Sequence, residues 1–239
     1  MTPDEILTAL LPDGHMVQPG PFGTIDGTAR VAGVGDVIGI VGGTPLGVDG
    51  ALLLAGHVLD AVRAGGTEPI VVLVDTASQA MARREELLGL NEFLAHLAKS
   101  LALAAMQGHR SVSVLYGTAA AGAIIAAALS SQTLVALPDA APSVMDLPSI
   151  SRVTKLPLDR LESLAQSSPI FAPGVAPLFA TGAVSEAWEA GEEFAARLAA
   201  LLARDAPAAD VRDQLGLERH GRLFAGEIAR KVAEAAVHG

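Results

Sequence analysis

Ser111-Val-Ser-Val-Leu-Tyr-Gly-Thr-Ala-Ala-Ala-Gly-Ala123 decides how this chain is read. It opens as an alternating β-branched strand, expected over residues 112–116, breaks at Gly117 and restarts as a helix of small residues reaching about residue 130. Backbone N–H groups at a glycine-broken strand end and a helix N-terminus lack intrachain partners and favour negative charge. The backbone N–H groups of Gly117, Ala119, Ala120, Ala121 and Gly122 are therefore the candidate catalytic donors, an oxyanion hole with no side chain in the way. The competing reading is a small-residue helix packed closely on a sheet. Ser and Cys are both missing from residues 117–123, and the whole chain lacks cysteine, so covalent catalysis from this loop is disfavoured.

Working outward, residues 69–74 form a continuous apolar run expected to be a fully buried strand, and the chain is expected to resume as strand over residues 133–137. Asp49 is a plausible N-cap for a helix over residues 49–63. The longest helix is expected over residues 83–107, with Leu87, Leu90, Leu94, Leu97, Leu101 and Ala104 on one stripe and Gly108 as its stop. Upstream, Asp26-Gly27 reads as a hairpin turn between two short strands, and residues 36–41 as a buried strand. Gly33-Val-Gly35 precedes its strand, whereas a dinucleotide loop follows one, which argues against nucleotide binding. Further helices are expected over residues 184–204 and near 222–237. The result is an N-terminal arm (1–20), one α/β domain (21–204) and a C-terminal helical extension (205–239).

Composition bounds the function. The chain is 51% hydrophobic but only 3% aromatic, so its core must be close-packed from small side chains. A net charge of −10 argues against a general nucleic-acid or anionic-membrane surface. The uncharged stretch 111–138 changes period from strand to helix to strand, which fits buried core and not a membrane span. The acidic opening lacks the basic start of a signal peptide, so a cytoplasmic location is expected. The six histidines show no pair at ligand spacing, so no metal site is expected. His57 and His96 read as structural, while His109, just before the key strand, is a candidate for lining a site.

Two further segments carry candidate binding residues. Asp75-Thr76-Ala-Ser-Gln79 falls at a strand end, where binding residues concentrate, and puts Thr76, Ser78 and Gln79 forward. Arg83 and Arg84 oppose the dipole of the helix they begin, so they call for an anionic ligand, a carboxylate partner or an interface; a solvated helix start is the plainer alternative. Asp146, Pro148, Ser149 and Arg152 could wall a pocket, or Pro148 could simply begin a helix.

Gly35-Asp36 through the helix at 49–63, then residues 69–76, 111–123 and 143–156 in that order, resemble the carboxyltransferase branch of the crotonase superfamily. The resemblance implies a crotonase-like ββα spiral of the carboxyltransferase C-domain type, with helical N- and C-terminal appendages. More narrowly, Val74-Asp-Thr-Ala-Ser-Gln-Ala-Met-Ala-Arg-Arg-Glu-Glu-Leu-Leu-Gly-Leu-Asn91, Val144-Met-Asp-Leu-Pro-Ser-Ile-Ser-Arg-Val-Thr-Lys-Leu156 and Phe171-Ala-Pro-Gly174 with Leu178-Phe-Ala-Thr-Gly-Ala-Val184 look like gamma subunits of biotin-independent malonate decarboxylase. That family implies a beta-subunit partner and an acyl-carrier protein subunit whose CoA-like phosphopantetheine arm bears malonyl thioester. It also implies decarboxylation to acetyl thioester and CO2, with no biotin and no metal. Departures from relatives narrow it further. The glycines of residues 117–123 are fewer than in biotin-dependent carboxyltransferases, Ser149 stands where hydratases of the superfamily carry a catalytic Glu, and Ala121 stands where its serine peptidases carry the nucleophile. The alternatives are a non-catalytic docking subunit, with Arg83, Arg84 or Arg152 orienting the carrier, and an alpha-type subunit of a biotin-dependent acyl-CoA carboxyltransferase.

Overall fold

Strand β4 (Ile70–Thr76) lies near the middle of an eight-stranded sheet in the computed structural model, which describes residues 1–31, 34–168, 172–204 and 209–238. Its unbroken apolar run is explained by burial on both faces. Ile70, Val72 and Val74 enter one core cluster, and Val71 and Leu73 enter the other. The sheet order is β1 (Gln18–Pro19), β2 (Thr24–Arg30), β3 (Val34–Gly43), β4, β5 (Ser111–Ala120), β6 (Thr133–Ala136) and β8 (Glu186–Ala187), with β7 (Ala141–Ser143) paired to the far end of β5. The first three strands are antiparallel neighbours, and from β3 onward the pairing is parallel.

One face is covered by α2 (Val48–Ala64) and α4 (Leu90–Met106), which pack through Ala51, Ala55, Leu97, Leu101 and Ala104. The other is covered by α1 (Pro3–Leu10) and α9 (Phe194–Ala203), which bury Ile6, Leu7, Leu10, Leu198 and Leu201 beside Tyr116 and Trp188. The N-terminal arm thus contributes side chains to the second core cluster.

Four local expectations are corrected. No hairpin forms at Asp26-Gly27, because β2 runs through both residues to Arg30. Gly27 is needed for a close crossing instead: a Cβ there would overlap the Met16 carbonyl and lie 2.6 Å from Val17 Cα. The helix expected over 83–107 is two helices, because Gly89 adopts a left-handed conformation (φ 76°, ψ 53°) between α3 (Arg83–Leu88) and α4. Leu87 consequently leaves the buried stripe and is 75% exposed. Asp49 lies inside the first turn of α2, whose N-cap is Gly47. The helix expected over 184–204 is confined to α9; Glu186 and Ala187 instead pair with β6, and buried Trp188 stacks on Phe194.

Gly33, Phe171 and the expected boundary at residue 205 lie outside the described residues. Helices α7 (Leu158–Ser167) and α8 (Val175–Ala180) lie before that boundary, and α10 (Arg212–Glu218) and α11 (Ala225–His238) follow it.

Candidate functional site

The parallel strands β3, β4 and β5 end together, and Asp75 joins their ends. Its Oδ2 accepts the Gly43 N–H at 3.0 Å, and its Oδ1 accepts the Thr118 N–H at 2.9 Å and the Thr118 hydroxyl at 3.2 Å. Gly117 is glycine because of this carboxylate. A Cβ at 117 would overlap Asp75 Oδ1 and Cγ and lie 2.9 Å from Asp75 Cβ. The strand therefore does not break at Gly117, as the sequence suggested; Thr118, Ala119 and Ala120 go on to pair with Ala141, Pro142 and Ser143 of β7. The Tyr116 hydroxyl is buried in this region, and burial, then the Asp75 charge, push its pKa up.

The turn comes four residues later, at Ala121, whose φ of 52° is unusual for a residue with a Cβ. From there the chain enters α5 (Ala121–Ala123) and a π-helix, Ile124–Leu129. The π-helix is tied to the sheet because the buried Ser113 hydroxyl lies 3.1 Å from the Ala127 carbonyl and 2.7 Å from Ser131 Oγ. Ala119 is buried and paired on both sides, to Thr76 and Pro142, while Ala120, Ala121 and Gly122 are half-buried. The Gly122 N–H donates to Gln79 Oε1 at 2.6 Å. The loop carrying Thr76, Ser78 and Gln79 therefore meets residues 119–122 at one site. Its backbone is pinned to the loop after β3: Leu46 N–H donates to the Ser78 carbonyl, Ala80 N–H to the Leu46 carbonyl, and the Thr76 hydroxyl to the Thr44 carbonyl at 2.6 Å.

The remaining sequence candidates divide by what they touch. Arg84 pairs with Asp49 and Glu85, each at 2.8 Å, so its opposition to the α3 dipole is answered by carboxylates. Glu85, in the first turn of α3, is buried, and its Oε2 accepts the Val48 N–H at 2.7 Å. It caps α2 from 37 residues away, which sequence spacing does not reveal. Arg83 is exposed and makes no ion pair among the described residues. Asp146 caps α6 (Leu147–Thr154) by accepting the Ser149 N–H at 2.7 Å, and the Ser149 bonds hold its carboxyl below the ordinary range. Arg152 donates to Ser149 Oγ at 2.8 Å, and Pro148 sits exposed in the first turn of α6. His109 is buried at the opposite end of β5, its Nδ1 2.9 Å from the Glu68 carbonyl, and is structural.

A cavity of about 500 Å³ opens beside β7 and α6, lined by Ser143, Met145, Ile150, Gly174, Leu178 and Arg222 among others. A larger one, about 560 Å³, lies at the other end of the sheet, where Arg110 precedes β5. Its Arg204 and Arg212 are held by Glu186 and Asp210, and it is remote from the Gly122 donor. The apolar side chains of Met81, Leu87, Leu88, Val144, Met145 and Val153 stand exposed on segments that follow the C-terminal ends of β4 and β7. Among the described residues no group of three or more His, Asp or Glu side chains is placed to hold a metal, and no helix is long and apolar enough to cross a membrane.

Parallel strands whose C-terminal loops converge on a turn of small residues define the crotonase-like fold of carboxyltransferases. Over 87% of its length the chain matches transcarboxylase 12S, at 17% identity and a TM-score of 0.70, covering 43% of that chain. Similarity is fuller to a Pseudomonas malonate decarboxylase hetero-tetramer in complex with coenzyme A (TM-score 0.81, 22% identity, 96% of this chain and 97% of that one). It is comparable to the Pseudomonas MdcD-MdcE hetero-dimer (TM-score 0.76, 24% identity, 97% of each). The malonyl-S-ACP:biotin-protein carboxyltransferase MADD of Malonomonas rubra is 31% identical over an alignment 178 positions long that covers 68% of this chain and 61% of that relative. Residues 42–236 match the malonate decarboxylase gamma subunit, and the chain belongs to that family.

Proposed function

We propose that this chain, with a beta subunit, forms the site that decarboxylates malonyl thioester on an acyl-carrier subunit. The observation that carries the reading is the Gly122 N–H, which points at a carbonyl-type oxygen 2.6 Å away beside a turn bare of functional side chains. Breaking the bond between the carboxylate carbon and C2 leaves its electron pair on the thioester as an enolate and releases CO2. The barrier falls where a backbone donor meets that oxyanion away from water. No base starts the reaction, and the carbon then takes up a proton.

Gly117, Ala119, Ala120, Ala121 and Gly122 supply or shape the donors. Thr76, Ser78, Gln79, Asp146, Pro148, Ser149 and Arg152 border the substrate or its partner, Arg83 meets the carrier or beta, and Arg84 braces the same corner. The phosphopantetheine arm of the carrier delivers the thioester, with biotin and metal playing no part in the step. The exposed Met81, Leu87 and Leu88 fit a surface that a beta subunit covers. The complex is expected in the cytoplasm.

The test is Gly122→Trp in the assembled complex, read as CO2 release from malonyl thioester. Tryptophan keeps the backbone N–H but fills the space it faces, where a Cβ alone would already lie 3.3 Å from Gln79 Oε1; denying the substrate one oxyanion donor costs about 100- to 1000-fold. Unchanged turnover sinks the catalytic role and favours a docking subunit. A second reading, transfer of the carboxyl group to a biotin protein, is favoured by the activity in the name of the Malonomonas rubra relative. Carboxybiotin formed at the expense of free CO2 would establish it.

A further inference from the structure

The donor at Gly122 is already occupied. Gln79 Oε1, an amide carbonyl oxygen, accepts this N–H at 2.6 Å, and a thioester carbonyl would offer an acceptor of similar kind. The backbone that carries Gln79 is fixed on both sides, since the Ser78 carbonyl accepts from Leu46, the Ala80 N–H donates to Leu46, and the Ser78 hydroxyl donates to the Gln79 carbonyl at 2.8 Å. The side chain itself is half-buried, and no other hydrogen bond holds its amide among the described residues. It can therefore leave by rotation about its own bonds while the loop stays in place. Room for the contact depends on Gly122: a Cβ there would lie 3.3 Å from Gln79 Oε1 and 3.1 Å from Leu94 Cδ1.

We propose that Gln79 gates the site, its amide oxygen standing in for the substrate oxygen at the Gly122 N–H until a thioester displaces it. The inference rests on the reading of Gly122 as an oxyanion donor. Exchange of one neutral acceptor for another gains little, whereas an oxyanion forms a charge-assisted bond roughly twice as strong. The displaced amide thus acts as a competitor that a neutral ligand overcomes at some cost in affinity and that the developing enolate overcomes readily.

The test uses the assembled complex and the split between KM and kcat. Gln79→Met keeps the length of the side chain and removes the competing oxygen; KM for malonyl thioester should fall about fivefold, the weight of one net hydrogen bond. Gln79→Glu puts a stronger acceptor on the same donor and should raise KM about tenfold. Acetyl thioester, which has no carboxylate to be repelled, should lose affinity for the Glu variant in parallel. A KM for Gln79→Met that is unchanged or raised, or a fall in its kcat, overturns the gate and makes Gln79 a brace. Should the Met variant fail to assemble, Gln79→Ala is judged by the same criteria. Gly122→Trp separates the two ideas: normal turnover there removes the donor reading, whereas a Gly122→Trp complex that assembles but is inactive, with an unmoved Gln79→Met KM, removes only the gate.

Discussion

Gly117→Ala is the substitution that most directly tests how the strand ends are held. Gly117 lies in extended strand and is not among the positive-φ glycines, so alanine can adopt its backbone, and the objection to it is purely steric. The new methyl would occupy the space of the Asp75 carboxylate. Asp75 cannot simply swing aside, because β4 is paired on both edges and the carboxylate must stay to accept from Gly43 and Thr118. A hydrogen bond to a charged group contributes about 1.5–3 kcal/mol, so loss of the two backbone bonds costs about 3–6 kcal/mol. Even the lower figure lowers the melting temperature of a chain this size by roughly 6–12 °C. Thermal unfolding of Gly117→Ala, Asp75→Ala and the double variant forms the assay. Because both single changes break the same bonds, the double variant should melt close to Asp75→Ala alone. Additive costs, or a Gly117→Ala protein melting within about 2 °C of the parent, a shift worth under about 1 kcal/mol at this size, would refute the reasoning.

Glu85→Ala should cost about 1–2 kcal/mol in urea unfolding, the range for a lost helix cap, because the Val48 N–H loses its acceptor. Asp49→Ala, which removes only a half-exposed partner of Arg84, should cost less than about 1 kcal/mol, and equal costs would discredit the cap. Glu186 contributes to acid stability. Burial raises its pKa, but hydrogen bonds from Trp188, Arg197 and Arg204 outweigh burial and leave it below 4.5. A carboxyl lowered in the folded state contributes stability that is present above its unfolded pKa and lost as pH falls through the folded value. The gap in melting temperature between the parent and Glu186→Gln should therefore be full near neutrality and narrow on acidification below about pH 4.5; a gap independent of pH would contradict this.

What was legible in the sequence was whatever depends on local pattern. The apolar run of β4, the alternation of β5 and the Leu97, Leu101 and Ala104 stripe of α4 each report burial through neighbours within a few residues. Pro148 as an early helix residue was readable for the same reason. What escaped depends on partners distant in the chain. Gly27 and Gly117 were read as turn and break, yet each marks a place where another segment comes too close for a Cβ. Nothing near Glu85 in sequence marks it as the cap of α2, whose Val48 N–H lies 37 residues away. Gly89 was visible but lay inside an apolar stripe, and periodicity outweighed the left-handed stop that it makes. The strand Glu186–Ala187 is too short to show a period, and its pairing with β6 alone defines it.

The proposed chemistry uses peptide N–H groups, so its precision depends on backbone direction and little on side-chain identity in the turn. Three features set that direction: the Asp75 carboxylate fixes where β5 leaves the sheet, β7 extends the strand to Ala120, and Ala121 makes the reversal. Glycine would make that reversal without strain, but it would leave the turn free to adopt other angles. Alanine in the left-handed region carries about 1–3 kcal/mol of strain, which persists only where the surroundings impose the conformation. Here the surroundings are the β7 ladder before the turn and, after it, the Ser113-anchored π-helix. A donor aimed by such a turn is already in place before an oxyanion forms, so little reorganisation remains at the moment of reaction. The bare alanines are thus consistent with catalysis in which the chain contributes direction, and among the described residues Gln79 is the side chain that accepts from the Gly122 N–H.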